Sequence, residues 1–177
     1  MKQHGPWQIV TTDHVYRDHW ITLTKDDVIR PDGRQGTYSV CYLRPGVCVV
    51  AQEGEHVFLT EEFHYGVGRV TIEGVSGGIE DGEGPFETAK RELREELGIE
   101  AAEWHDLGIT DPITGSVVAP TKMYLSRKLR FGEQDPEGTE LIRCVKVPLA
   151  EAVRMVRDGR ITHAPTCLIL LMMSGIP

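Results

Sequence analysis

Runs of strand-like periodicity, broken by turn residues, occupy residues 7–43 of the chain. Trp7–Thr11, His14–Thr24, Asp26–Arg30 and Thr37–Leu43 read as strands, with Pro31-Asp32-Gly33 as a turn. A second group follows at Val47–Gln52 and His56–Glu62, joined at Glu53-Gly54, and then Arg69–Gly74. Beyond Pro85 the apolar period lengthens: Phe86, Ala89, Leu93 and Leu97 fall on one stripe of an α-helix, predicted to face a core. Strands resume at Trp104–Thr110, Thr121–Phe131 and Glu140–Pro148, followed by helices at Leu149–Arg157 and about Pro165–Met173. Strands with helices on the sheet faces predict a mixed α/β sandwich.

The first helix has clear boundaries. Pro85 suits a first helical position, where its missing N–H is no loss. Glu87 places negative charge in the first turn, and Gly98 fits the left-handed residue that closes many helices. Beside the apolar stripe lies an acidic flank. Glu92 and Glu96 stand one turn apart, and Glu95 lies next to them. Alone, such a helix reads as a solvated face laced with ion pairs. Here the spacing from Gly77 through Glu83 to Arg91, Glu92, Glu95, Glu96 and Gly98 adds a glycine-rich loop before the acids. Clustered carboxylates suit hard divalent cations such as magnesium, which take oxygen ligands and substrate phosphates.

Composition narrows the setting. The chain has 177 residues, a single-domain size, with 19 basic against 27 acidic residues for a net charge of −8. No basic cluster of the nucleic-acid type occurs, so nucleic acid is not expected as a partner and longer RNA is disfavoured as a substrate. Cys41, Cys48, Cys144 and Cys167 lack paired spacing and read as buried free thiols, which points to a reducing cytoplasm. The N-terminus MKQHGPW has no signal-peptide core, and CLILLMM is too short to span a bilayer.

The segment GGIEDGEGPFETAKRELREELGI resembles the signature of the Nudix hydrolases, with every signature position filled. The resemblance implies an α/β/α sandwich with a mixed sheet and extra N-terminal antiparallel strands. It also implies Mg2+ or Mn2+ as cofactor. Glu92 and Glu96 match direct metal ligands, Glu95 a ligand held directly or through water, and the Ser76 carbonyl a further one. Arg91 would orient the cluster by pairing with Glu83.

The flanks resemble the ADP-ribose pyrophosphatase and nucleoside-diphosphate-sugar branch. On that resemblance residues 1–44 form an N-terminal strand extension for dimerisation and base binding, and residues 45–177 the hydrolase domain. Trp20 and Tyr38 match base-clamping aromatics, although either ring serves equally as an ordinary strand or interface aromatic. His64 stands where the branch carries an arginine that meets phosphate, Arg69 is a substitute for it, and Gly78 lies beside the loop expected to meet the diphosphate. Val75-Ser76-Gly77 likewise departs from a proline-containing sequence. The catalytic base stays open between Glu140, Glu137 and Glu95. The expected reaction is hydrolysis of a nucleoside diphosphate linked to a sugar, ADP-ribose first, by a homodimer. The alternative is a dinucleoside-polyphosphate or nucleoside-triphosphate pyrophosphohydrolase.

Overall fold

The structure, a computed structural model, describes residues 1–135, 138 and 141–175. In chain order the elements are β1 (Lys2–His4), β2 (Trp7–Arg17), β3 (Ile21–Ile29), β4 (Gln35–Leu43), β5 (Gly46–Glu53), β6 (His56–His64), β7 (Arg69–Glu73) and β8 (Val75–Gly78). They continue with α1 (Pro85–Leu97), β9 (Ile99–Thr110), β10 (Val117–Val118), β11 (Thr121–Phe131), β12 (Arg143–Pro148), α2 (Leu149–Arg157) and α3 (Ala164–Gly175). They form two compact units: Met1–Arg44 with Ile113–Pro120, and Pro45–Pro112 with Thr121–Pro177.

In the first unit the strands run in the order β1-β2-β3-β4-β10. The first four pair antiparallel, and β10 joins β4 in parallel. The predicted strand His14–Thr24 is in fact two strands with a turn between them. Asp18 Oδ1 accepts the Trp20 and Ile21 amides at 2.8 and 2.7 Å and reverses the chain there. An aspartate that bonds the backbone two residues on competes with the ladder, and here it wins. The turn at Asp32-Gly33 falls as predicted, with Gly33 at φ 80° in a conformation that side chains disfavour.

In the second unit the strand order is β12-β6-β5-β11-β9, with β7 on β6 and β8 on β5. β5 and β11 run parallel and the other pairs antiparallel, so the sheet is mixed. Alternation along β5 divides the core. Val47, Val49 and Ala51 pack with Phe58, Tyr124, Ala89, Leu93 and Leu97 on the α1 face. Cys48 and Val50 pack with Leu59, Met123, Leu125, Met155, Ile169 and Leu170 on the face covered by α2 and α3. This is the α/β/α layering expected. Burying a side chain such as Leu93 contributes about 1.5–3 kcal/mol by transfer from water.

Some expectations need correction. Phe86 is 38% exposed rather than part of the buried stripe; it packs its ring edge-on to Trp104 at 5.3 Å. It sits in the first turn of α1. The thiols are all free, but Cys48 alone is fully buried, Cys41 and Cys167 are half-buried, and Cys144 is exposed. The strand after α1 begins at Ile99, directly after the Gly98 turn, and not at Trp104. The last strand begins at Arg143.

Candidate active site

The acidic flank of α1 faces the short strand β8. Helix geometry is set by Pro85 at its start and by Gly98 at its end, where φ is 63°. The buried Ala89, Leu93 and Leu97 lock its rotation against β5, and that rotation delivers Glu92 and Glu96 to one side. Glu96 is itself buried. Glu92 lies directly against Gly77: a Cβ at that position would collide with the Glu92 carboxylate. The glycine of the loop is therefore a steric requirement of the acid placed beside it.

Arg91 ties the cluster together. Its Nη1 contacts Glu92 at 2.9 Å and Glu95 at 3.0 Å. Nε and Nη2 donate to the Glu83 carboxylate at 3.1 and 3.2 Å, and Nη2 also reaches the Gly78 carbonyl at 3.4 Å. These bonds hold the Glu83 carboxyl below the usual carboxylate range, helped by a 2.7 Å bond from the Thr88 hydroxyl. The Arg91 guanidinium is pushed well above its ordinary value, first by its hydrogen bonds to Glu83. The pairing of Arg91 with Glu83 is as read from the sequence, and the bonds to Glu92 and Glu95 extend it.

The donor set is one of hard oxygens, which fits magnesium or manganese by chemistry. In this arrangement Glu92 and Glu95 share one guanidinium nitrogen, and among the described residues no three acidic, histidine or cysteine side chains converge as a metal cage. Ser76 lies on β8 opposite Cys48, its hydroxyl donating to the Gly74 carbonyl at 2.9 Å.

The remaining sequence candidates scatter. His64 Nε2 lies 3.5 Å from Glu73, whose other oxygen is 3.4 Å from His163 Nδ1. Burial pushes the His163 imidazole below its ordinary value, against the pull of Glu73. Nothing in the sequence singled out His163 or Glu73. Arg69 Nη2 donates to Thr162 Oγ1 at 2.8 Å. Glu137 and Glu140 lie outside the described residues.

Within the N-terminal unit, Tyr38 lines a groove of about 560 Å³ with Trp7, Asp26, Tyr42 and Gly115. Trp7 and Tyr38 meet edge-to-face at 5.6 Å, and the Tyr38 hydroxyl donates to the Gly115 carbonyl. Trp20 is not in this groove; it is 64% exposed, packed on His19 at 5.0 Å with Arg44 at 6.0 Å from its ring. Trp7, which the sequence did not single out, meets Tyr38 by its ring and lines the same groove. Among the described residues no helix is long and apolar enough to cross a membrane.

The NUDIX domain profile matches residues 42–165, and the nucleoside diphosphate sugar hydrolase N-terminal domain profile matches residues 7–40. The chain is 28% identical over 169 residues to an ADP-ribose pyrophosphatase of Mycobacterium tuberculosis (strain ATCC 25618 / H37Rv), covering 93% of this chain and 81% of that protein. It is 26% identical over 167 residues to a methanol dehydrogenase activator of Bacillus methanolicus, covering 90% and 88%. A solved structure described as an ADP compounds hydrolase superposes with a TM-score of 0.83 at 22% identity, covering 98% of this chain and 96% of that one.

Proposed function

Since the chain belongs to the NUDIX family and is a Nudix hydrolase, we propose that it hydrolyses the pyrophosphate bond of a nucleoside diphosphate linked to a sugar, with ADP-ribose as first substrate. The observation that carries this reading is the complete acid constellation on α1, with Glu92 seated against Gly77 and Arg91 bonded to Glu83, Glu92 and Glu95. The profile over residues 7–40 and the ADP-ribose pyrophosphatases among the relatives support the substrate class.

Glu92, Glu96, Glu95 and the Ser76 carbonyl would hold the metal. A bound magnesium or manganese ion supplies charge to polarise a phosphoryl oxygen and to acidify a water. Arg91 balances the charge of Glu92 and Glu95, two of the carboxylates that would hold the cation. The bonds from Arg91 to Glu83 anchor the guanidinium beside them.

A carboxylate accepts the proton of the attacking water as its oxygen bonds to one phosphorus. Glu140, Glu137 and Glu95 remain the candidates, and their geometry toward the water decides among them. The bridging P–O bond breaks, and its oxygen leaves on the second phosphate. With ADP-ribose the products are AMP and ribose 5-phosphate. Residues 1–44 are proposed to pair two copies and to bind the base, with Trp7 and Tyr38 at the groove that holds it.

The experiment is product release from ADP-ribose, GDP-mannose, NADH and diadenosine polyphosphates, each with magnesium and with EDTA. The reading expects ADP-ribose turnover that EDTA abolishes. Preferential cleavage of the polyphosphates would move the chain to the polyphosphate class, and turnover that survives EDTA would remove the metal. Replacing Glu96 with Gln should abolish most turnover in a folded protein.

A further inference from the structure

The C-terminal end of α1 is held from outside by the segment that follows β11. A helix leaves its last four carbonyls without internal partners. Here those belong to Arg94, Glu95, Glu96 and Leu97. The Gly98 amide closes on the Arg94 carbonyl at 2.9 Å. The next two carbonyls are taken by one dipeptide: the Asp135 amide donates to Glu95 O at 2.9 Å, and the Gln134 side-chain amide donates to Glu96 O at 2.5 Å. The Gly132 amide adds a 2.7 Å bond to the Gly98 carbonyl.

The approach is tight. A Cβ on Gly98 would stand 2.6 Å from the Gly132 carbonyl oxygen and 2.8 Å from the Glu133 carbonyl carbon, so residues 132–133 seat against the helix end only because that residue is glycine. The backbone bonds at Gly132 and Asp135 come with any sequence. The bond to Glu96 is the one made by a side chain, and it falls on the residue whose buried carboxylate the proposed chemistry needs.

We propose that Gln134 is a positioning residue for the metal-binding turn: its side-chain N–H fixes the Glu96 backbone, and through it the direction of the Glu96 carboxylate. The inference rests on the assignment of Glu96 as a metal ligand. Two physical effects combine. The donor satisfies a carbonyl at the negative end of the helix, where a carboxylate is otherwise disfavoured. It also stops the last turn from fraying where the ligand must hold its geometry. Groups that orient metal ligands from behind typically alter metal affinity by about 10–100-fold when removed.

The test is Mn2+ binding without substrate, followed by the loss of the free-ion paramagnetic resonance signal, with thermal melts of each metal-free variant. Gln134→Met keeps the length and loses the donor. Gln134→Glu puts an acceptor against an acceptor while adding negative charge. Both should bind Mn2+ about tenfold more weakly than wild type. The sign for Gln134→Glu is decisive, because a pure charge effect would make an extra carboxylate bind the cation more tightly. Unchanged or tighter binding by either folded variant overturns the proposal. Glu96→Gln separates the two claims. If it binds Mn2+ normally, the metal assignment itself fails. If it loses Mn2+ while both Gln134 variants bind as wild type, only the positioning role fails.

Discussion

Replacing Arg91 with Ala should destabilise the protein and offset its loss of stability in acid relative to wild type. The Arg91 side chain is 22% exposed and touches Glu83, Glu92 and Glu95, whose side chains are 13–23% exposed, with four nitrogen–oxygen contacts between 2.9 and 3.2 Å. Hydrogen bonds to charged groups contribute about 1.5–3 kcal/mol when well buried, and exposed ion pairs about 0–1 kcal/mol. Sites this far from bulk water fall between, at about 1 kcal/mol for each carboxylate by those figures. The sum is about 3 kcal/mol, or a fall in Tm of about 6–12 °C for a chain of this size.

The pH dependence gives the sharper reading. In wild type the Glu83 carboxyl lies below its ordinary value of 4.5, chiefly through Arg91. Its stabilisation is therefore complete above that value and lost as pH falls through the folded one. Without Arg91, three neighbouring carboxylates repel one another and their protonation is favoured by folding. Relative to wild type, the variant should gain stability as pH falls from 7 to about 5.5, and magnesium at pH 7 should restore part of the loss. Urea midpoints across that range check it. A variant within about 1 kcal/mol of wild type, with an unchanged pH profile, would mean solvated surface charge.

Other outcomes follow from the same geometry. Gly77→Ala should displace the Glu92 carboxylate and weaken Mn2+ binding by at least about tenfold, with the melting temperature nearly kept; calorimetric titration reads it. Leu93→Ala, at a position with no exposure, should cost about 2–5 kcal/mol in denaturant unfolding. Wild type should lose stability as pH drops below 6.5 toward the lowered value of His163, since the unfolded chain binds that proton more readily. His163→Gln should flatten that slope in urea midpoints taken at pH 7.5 and 5.5. Trp7→Ala should raise KM for ADP-ribose more than it lowers kcat, and equal losses in both would remove Trp7 from base binding.

What the sequence revealed and what it hid divide along a physical line. Helix α1 was legible from the spacing of Ala89, Leu93 and Leu97 and from Pro85 and Gly98, because these are local signals. The acids and Arg91 were legible because the helix fixes their relative positions. The turn at Asp18 was not, since an aspartate inside alternating residues reads as a strand position until its side chain is seen on the Trp20 and Ile21 amides. Strand β10 and its parallel pairing with β4 escaped for another reason: the contact joins residues about 76 apart in sequence (Val117 with Cys41), and a two-residue strand carries no period. The ring contact of Trp7 with Tyr38 is likewise non-local, while Trp20 packs on its chain neighbour His19. Gln134 gave no sequence signal at all, because its partner is a backbone carbonyl on another element.

The most direct test of the central claim is an anomalous difference map from crystals grown with manganese and a non-hydrolysable ADP-ribose analogue. The account predicts manganese peaks coordinated by the Glu92 and Glu96 carboxylates, with Glu92 and Glu95 turned away from Arg91 and the Arg91–Glu83 bond intact. An analogue bound with no manganese at those glutamates, and with Glu92 and Glu95 still on the guanidinium, would contradict it.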